Sequence, residues 1–238
     1  MNMHSVPVLQ SPTATESRPQ RCIGCPLSDA HGLFETSPHS MPKCYFDNVA
    51  VEEHEAIPAS YDKHPGIAVV RRGLIVRQRE DSNGNATAVD VVGPGQAFRT
   101  GVAPSDSNDG GDTVTGYAVE RALLCMYSKP ELPQTDVSSQ MYHLMMQSID
   151  RMERFIVARA RATSESRVAS LLCALQDSLG PRRQGRIPAS LRQQDMASLL
   201  FLRHESVCRA LRSLREGGLV SCDADGIRII DRVALQQV

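Results

Sequence analysis

The sequence predicts an α+β protein in which an antiparallel β-domain precedes a long helix and a C-terminal winged helix-turn-helix. Three observations predict this fold. Short runs rich in Val and Ile, separated by Asn-Gly and Gly-Pro-Gly turns, occupy much of the first half of the chain. A segment with apolar residues at three- and four-residue spacing follows. The last third then contains two short amphipathic helical segments and an Asp-Gly hairpin signal.

The bulk composition excludes several classes of protein. The chain has 238 residues and 41% hydrophobic content, which is enough for one or two ordinary domains. It contains no run of eighteen apolar residues, and its N-terminus has no apolar segment typical of a secretory signal. We therefore expect a cytoplasmic protein without membrane contact, whose seven cysteines are reduced, metal-binding or incidental.

The N-terminal region divides into a tail and a cysteine-containing segment. Residues 1–20 are rich in Ser, Pro, Thr and Gln, and are predicted to be disordered. Residues 21–45 contain Cys22 and Cys25, whose C-x-x-C spacing lets two thiolates converge on one metal or cluster. No βαβ pattern surrounds them and no second C-x-x-C follows. A thiol-disulfide oxidoreductase and a four-cysteine zinc site are therefore the weaker interpretations.

Residues 46–135 have the pattern of a β-domain. Two Val- and Ile-rich runs flank Asn83-Gly84, a strong hairpin signal, and a Gly-Pro-Gly turn follows. The stretch 113–127 is predicted to form a last pair of strands. Short strands at this spacing are typical of a small antiparallel barrel or roll.

Residues 136–162 are predicted to form one long dimerisation helix. Its apolar seam consists of Tyr142, Met145, Ile149, Met152 and Ile156, which alternate in threes and fours as in a coiled coil. A core helix within one subunit would also show such a row. The polar opposite face and the position between two domains favour a parallel dimer helix.

Residues 163–238 have the pattern of a winged helix-turn-helix. The first helix of the motif has an apolar side, with Gln193, Gln194 and Asp195 facing water, and Phe201 and Leu202 form the turn. The second helix runs from about Arg203 to Glu216. The apolar residues of the two helices are Leu191, Met196, Leu199, Leu200, Val207, Ala210, Leu211 and Leu214.

The ends and the outward side of the second helix complete the motif. Gly217 and Gly218 end the helix, and Asp225-Gly226 predicts a hairpin that would form the wing. Its outward residues are Arg203, His204, Glu205, Cys208, Arg209 and Arg212. A polar outward face favours insertion into the DNA major groove over packing inside a core.

The charge distribution agrees with DNA binding. Eight arginines and three acidic residues lie between Pro181 and Gly218, which gives this segment a net charge of +5. The whole chain has a net charge of −1, so the remainder carries about −6. A basic patch on a nearly neutral protein indicates phosphate contact by one domain.

The segment 203–220, RHESVCRALRSLREGGLV, closely resembles the recognition helix of the CRP/FNR regulators, and the resemblance extends over about residues 20–235. Glu205 and Arg209 fall on the family's Glu-x-x-x-Arg pattern, with His204 as the base-contacting position before the Glu. The oxygen-sensing branch has Ser where this chain has Cys208. The resemblance implies a cyclic-nucleotide-binding-like β-roll and a homodimer on a palindromic double-stranded DNA site, and it makes RNA polymerase a candidate partner.

The resemblance to the oxygen-sensing branch also implies a [4Fe-4S] cluster. Cys22 and Cys25 match the first two ligands, and Cys125 matches the fourth by its place at the end of the β-domain. His31 occupies the position of the third cysteine. We expect Cys44 to be the third ligand because sulfur is the usual cluster ligand, with His31 as its competitor and Asp29 as a further candidate. Cys44 and Cys125 are otherwise buried small hydrophobic residues.

The implied function is a transcription regulator, not an enzyme, in which oxygen or nitric oxide breaks the cluster and shifts the population away from the DNA-binding dimer. The alternative is a cluster-free regulator that responds to thiol oxidation or needs no effector. Relatives that bind cyclic nucleotides place a Glu after a Gly-rich turn to bind the ribose and an Arg-Ser/Thr pair to bind the phosphate, and we expect neither in this chain. The turn here reads Gly95-Gln96-Ala97-Phe98, so we do not expect cyclic-nucleotide binding.

Overall fold

The computed structural model describes residues 47–57, 66–81, 83–102, 113–127, 137–179 and 185–238. The β-domain contains the strands β1 (Asp47–Val51), β2 (Gly66–Arg72), β3 (Ile75–Glu80), β4 (Ala86–Val92), β5 (Ala97–Val102), β6 (Thr113–Ala118) and β7 (Ala122–Tyr127). They form an antiparallel sheet in the order β1-β7-β2-β5-β6-β3-β4. The predicted β-roll is therefore confirmed.

The β3–β4 hairpin forms where the Asn-Gly pair predicts it. The Asp81 carboxylate accepts hydrogen bonds from the backbone N–H groups of Asn83 and Asn85, both at 2.9 Å. Gly84 has a φ of +80°, a left-handed conformation that a side chain would strain. The turn residues thereby fix the register of the two strands.

Residues 113–127 form the two predicted strands, β6 and β7, but the prediction that they pair with each other is wrong. β6 pairs with β3 and β5, whereas β7 pairs with β1 and β2. The two strands are consecutive in the chain, but they are separated in the sheet. Strands that are consecutive in the chain usually lie next to each other in the sheet. In this roll, however, the chain crosses from one set of strands to the other between β6 and β7.

The helical half begins with α1 (Val137–Ala160) and α2 (Ser164–Ser178), followed by α3 (Gln193–Leu200), α4 (His204–Glu216) and α5 (Arg232–Gln236). A three-stranded sheet is formed by β8 (Arg186–Pro188), β9 (Val220–Asp223) and β10 (Gly226–Ile229), in the order β8-β10-β9. Thr163 separates α1 from α2, since its hydroxyl caps α2 by accepting from the Ser166 backbone N–H at 3.0 Å.

The hydrophobic core continues across the boundary between the two halves. One cluster, with Val70, Phe98 and Leu124 among its members, lies inside the β-roll. A second cluster joins Leu74 and Val91 of the β-domain to buried residues of α1, α2, α3 and α4. The helical half is therefore packed against the β-domain of its own protomer. Among the described residues, no helix is long and apolar enough to cross a membrane.

Candidate nucleic-acid interface

The helix-turn-helix consists of α3, a tight turn and α4. Phe201 ends α3 in the left-handed conformation, with a φ of 53°, and the Leu202 N–H donates to the Ala197 carbonyl at 3.0 Å. The predicted apolar residues of both helices are buried, with relative exposures of 5% or less. The predicted helices, turn and wing are confirmed. Gly218, with a φ of +71°, supplies the left-handed residue after α4, whereas Gly217 remains right-handed.

The outward side of α4 is free to contact a ligand. His204, Glu205 and Arg209 are exposed, and Cys208 is partly exposed. Glu205 and Arg209 lie four residues apart and therefore share one helical face. Arg209 forms no ion pair within the part of the chain that the structure describes. An unpaired guanidinium can donate two hydrogen bonds to guanine, and a carboxylate can accept from cytosine.

Several arginines of the basic segment are paired within the protein. Arg186 contacts Asp223 and Asp225 at 2.8 and 3.1 Å, and Arg212 contacts Glu216 at 2.8 Å. Arg203 and Arg215, like Arg209, are exposed and have no ion pair among the described residues. The available positive charge of this segment therefore lies on α4 and on Arg203, the residue directly before it. Arg182 and Arg183 lie outside the described residues.

Cys208 contacts a neighbouring helix. Its thiol donates to Oε1 of Gln193 on α3 at 2.7 Å, and both ring nitrogens of His204 lie 3.6 Å from the sulfur. Gln193 therefore extends the polar face of α4 towards the start of α3.

The predicted dimer seam lies on a face of α1 that the protomer itself leaves uncovered. Tyr142, Met145, Ile149 and Ile156 are 61%, 58%, 41% and 58% exposed, and Met152 is partly buried. The opposite face carries Leu144, Phe155 and Ala158, which are buried inside the protomer. The helix therefore has two apolar faces, of which one has no partner among the described residues.

Among the predicted cluster ligands, only Cys125 lies within the described residues. It is 8% exposed on β7, and its thiol donates to Oδ1 of Asn48 on β1 at 3.4 Å. Cys22, Cys25, Asp29, His31 and Cys44 lie outside the described residues. Within the described residues, no group of three or more His, Cys, Asp or Glu could hold a metal ion.

A buried ionic network joins the β-domain to α1. The Asp90 carboxylate is fully buried and accepts from Nε of Arg77 at 2.7 Å and from Nε of Arg151 at 2.9 Å. Arg151 also donates to the Ala97 carbonyl at 3.0 Å, and burial lowers its pKa against the opposing effect of Asp90. Sequence analysis missed this network. The sequence feature that could have indicated it is Asp90, a carboxylate within the otherwise apolar run AVDVV.

The expectation that no Arg-Ser/Thr pair follows the Gly-rich turn is wrong, because Arg99-Thr100 follows it directly. Thr100 is buried, and Arg99 is partly buried, with its pKa lowered first by burial and then by Arg79 and Arg77. The expectation that cyclic nucleotides do not bind therefore depends on the missing Glu alone, and it stays a prediction.

Comparison with known proteins agrees with this architecture. Residues 166–238 match the family of Crp-like helix-turn-helix domains. A CRP-family transcriptional regulator from Thermus thermophilus is 18% identical over 79% of this chain and 95% of its own, with a TM-score of 0.61. FixK2 from Bradyrhizobium japonicum is 17% identical over 81% and 96%, with a TM-score of 0.61. No curated protein matches the sequence. The chain therefore has the fold of the CRP/FNR regulators, and residues 166–238 form a Crp-like helix-turn-helix domain.

Proposed function

We propose that this protein is a homodimeric transcription regulator that binds a palindromic DNA site and responds to oxygen or nitric oxide through an iron-sulfur cluster. The observation that carries the proposal is the outward face of α4, where exposed His204, Glu205 and Arg209 project from a helix-turn-helix whose apolar residues are buried. In this motif, the second helix enters the major groove and its polar side chains contact the bases.

The uncovered face of α1 supports the homodimer. Exposed apolar residues at coiled-coil spacing need a partner, because contiguous apolar surface is rare on monomers. A second copy of α1 would bury the seam and relate two recognition helices by a two-fold axis. Two helices so related require half-sites about one helical turn apart, on the same side of the duplex.

The position of Cys125 supports the cluster. Asn48 is its register partner on β1, and Cys44 precedes Asn48 by four residues. Four residues of extended chain span at most about 14 Å, which limits how far Cys44 can lie from Asn48. Cys22, Cys25, Cys44 and Cys125 would hold a [4Fe-4S] cluster, with His31 as the competitor of Cys44. When bound, that group supplies iron that reacts with oxygen or nitric oxide.

A cluster-free regulator that responds to thiol oxidation is the second candidate. It is favoured by Cys208, a partly exposed thiol on the proposed DNA-binding face. Cys173 is a weaker candidate because it is buried, and burial raises the pKa of its thiol. Cys222 is exposed, but partial desolvation raises the pKa of its thiol as well. A raised pKa disfavours the thiolate that reacts with oxidants.

Two measurements on the full-length protein test the proposal. Selection from a random duplex library should enrich a two-fold symmetric sequence, and failure to enrich any sequence would contradict the DNA-binding part. Anaerobic purification followed by iron and sulfide analysis should find about four of each per protomer, as a [4Fe-4S] cluster requires. A colourless, iron-free protein that still selects a palindrome would favour the thiol-based alternative.

A further inference from the structure

A hydrogen bond crosses directly from the β-domain to the helix-turn-helix. The Tyr117 hydroxyl on β6 donates to Oδ1 of Asp195 on α3 at 2.7 Å, across 78 residues of sequence. Asp195 is only 5% exposed. The prediction that Asp195 faces water is therefore wrong, because the β-domain covers this side of α3.

Asp195 also stabilises the start of α3. Its other carboxylate oxygen, Oδ2, accepts from the Arg192 backbone N–H at 2.8 Å, which satisfies a donor at the helix N-terminus. A buried carboxylate must have hydrogen-bond donors to offset the loss of water. Tyr117 supplies one of these donors, so the β-domain completes the hydrogen bonding of a residue that organises the DNA-binding motif.

A second connection comes from Arg159 near the end of α1. Its guanidinium donates to the Leu199 carbonyl of α3 at 2.7 Å, and to the Ala88 and Val89 carbonyls of β4 at 2.9 and 2.6 Å. It also lies 4.8 Å from the centre of the Phe201 ring, at the turn of the motif. One side chain therefore joins the dimer helix, the β-domain and the helix-turn-helix.

A β-bulge in β4 explains why Arg159 finds free carbonyls there. Arg77 is opposite Asp90 and Gln78 is opposite Ala88, so Val89 is the extra residue of a β-bulge. β4 is also an edge strand of this sheet, and some carbonyls at an edge or a bulge lack partners within the sheet. Arg159 supplies donors to these carbonyls. Nearby, a Cβ at Gly93 would overlap the Ser178 carbonyl at the end of α2, which shows how closely the two domains approach.

We propose that the Tyr117–Asp195 and Arg159 contacts form a latch that holds the helix-turn-helix in one orientation against its own β-domain, with the outward face of α4 left open to DNA. The inference rests on the proposed function, since it assigns the latch a role in DNA recognition. A sensor signal can then reach α3 directly through β4 and β6 as well as along the dimer helix.

A latched orientation has a specific consequence for DNA recognition. Two rigidly held recognition helices accept only one separation between half-sites, whereas loosened domains tolerate other separations. Loss of one hydrogen bond of ordinary strength changes an equilibrium by roughly 2- to 10-fold. Weakening the latch should therefore reduce, by about that factor, the preference for the natural spacer over spacers changed by one or two base pairs.

The experiment compares two latch variants with two matched controls in the full-length protein. Tyr117→Phe removes only the hydroxyl that donates to Asp195, and Arg159→Lys keeps the charge but loses the branched donor. Asp231→Ala is a control for the role of Asp195 at a helix start. The Asp231 carboxylate also accepts a backbone N–H at the start of a helix, α5, but among the described residues it is not hydrogen-bonded to the β-domain. Arg161→Lys changes an exposed arginine two residues from Arg159.

Amide hydrogen exchange tests the latch without DNA. We expect faster exchange in β4 and α3 for both latch variants, unchanged exchange in α4 and β9, and wild-type exchange at β4 and α3 in both controls. Wild-type exchange in both latch variants would overturn the proposal, as would faster exchange throughout residues 164–236, which indicates general destabilisation.

Binding to duplexes with altered spacers tests the role in recognition. We expect the reduced spacer preference in the latch variants and the wild-type preference in the controls. An unchanged preference in the latch variants would overturn the proposed role. If wild type selects no DNA site, the proposed function fails, while hydrogen exchange still decides whether the contacts fix the domain orientation.

Discussion

At the residue scale, Asp90 is the most deeply buried charged residue that the structure describes. It is fully buried, and the Arg77 and Arg151 side chains beside it are 11% and 3% exposed. One carboxylate therefore neutralises part of two buried positive charges. Nη2 of Arg77 and Nη1 of Arg151 have no hydrogen-bond partner among the described residues. The network thus depends strongly on Asp90, because removal of one partner leaves buried charge without compensation.

Asp90→Ala should lower the free energy of unfolding by about 3–5 kcal/mol, the range for breaking a buried ion pair. Denaturant unfolding monitored by circular dichroism measures this change. Asp150→Ala, at an exposed carboxylate on α1, is the control and should change stability by less than about 0.5 kcal/mol. Equal losses for the two variants would show that Asp90 contributes no more than a surface charge.

Arg209 is the residue whose replacement tests base recognition most directly. Arg209→Ala should cost about 1–3 kcal/mol of discrimination between the selected site and a site changed at the contacted base pair. Arg215→Ala, at an exposed arginine in the last turn of α4, should weaken binding to all sequences alike. Fluorescence anisotropy with both duplexes measures the two effects. If Arg209→Ala keeps the wild-type preference, the assigned recognition face is wrong.

At the element scale, α1 has one face that packs inside its own protomer and another that forms the proposed dimer seam. Leu144, Phe155 and Ala158 bind the helix to its own protomer, together with Arg151, which donates to Asp90 and to the Ala97 carbonyl. Ser148 adds a hydrogen bond to the same carbonyl at 2.7 Å. The seam on the other face has methionine and isoleucine side chains, and methionine packs adaptably. Such a seam suits an association that responds to a ligand.

Ile149→Glu should make the protein monomeric and abolish binding to the palindrome. In a parallel dimer, the two glutamates would face each other in the middle of an apolar interface, without partners. Sedimentation velocity measures the oligomeric state. The matched control is Gln147→Glu, at an exposed position off the seam, which should remain dimeric. A dimer that persists in the Ile149 variant would rule out the seam.

At the scale of the whole molecule, the proposed sensor and the proposed DNA-binding face lie in different parts of one continuous fold. Cys125 lies on β7, next to β1, whereas Tyr117 on β6 contacts α3 directly. Ala88 and Val89 on β4 contact Arg159, which in turn donates to the Leu199 carbonyl of α3. The sheet order places β7 and β4 on opposite sides of β2, β5, β6 and β3. A change at Cys125 must therefore cross the sheet, or pass through α1, to reach α3.

The identity of the third N-terminal ligand determines the properties of the proposed sensor. Under anaerobic conditions, Cys44→Ser should lose the visible cluster absorption, whereas His31→Ala should keep it, because thiolates are the usual ligands. Cys22, Cys25 and Cys125 should each be required for iron retention, and Cys173→Ser is the control at a buried cysteine outside the proposed site. The reverse result for Cys44 and His31 would make His31 the ligand. In that case, iron would be lost as the pH falls and the imidazole becomes protonated.

Local sequence patterns were sufficient to predict most elements of this protein. Periodic apolar residues predicted α1, α3 and α4, and the turns at Asn83-Gly84 and Asp225-Gly226 predicted two hairpins. These features depend on spacing of three to four residues in helices and on turn chemistry, which are local properties. The exposed residues of α4 could be predicted for the same reason, since a helix fixes which side chains share a face.

The connections between elements were decided only by the tertiary structure. Nothing local in the sequence indicates that Tyr117 meets Asp195, that Arg159 reaches the bulge at Val89, or that β6 and β7 lie apart in the sheet. A polar residue on an amphipathic helix is predicted to face water unless another domain covers it. Asp195 is covered, because the β-domain and the helix-turn-helix share one core, and burial of that common apolar surface outweighs the exposure that the pattern of α3 alone would favour.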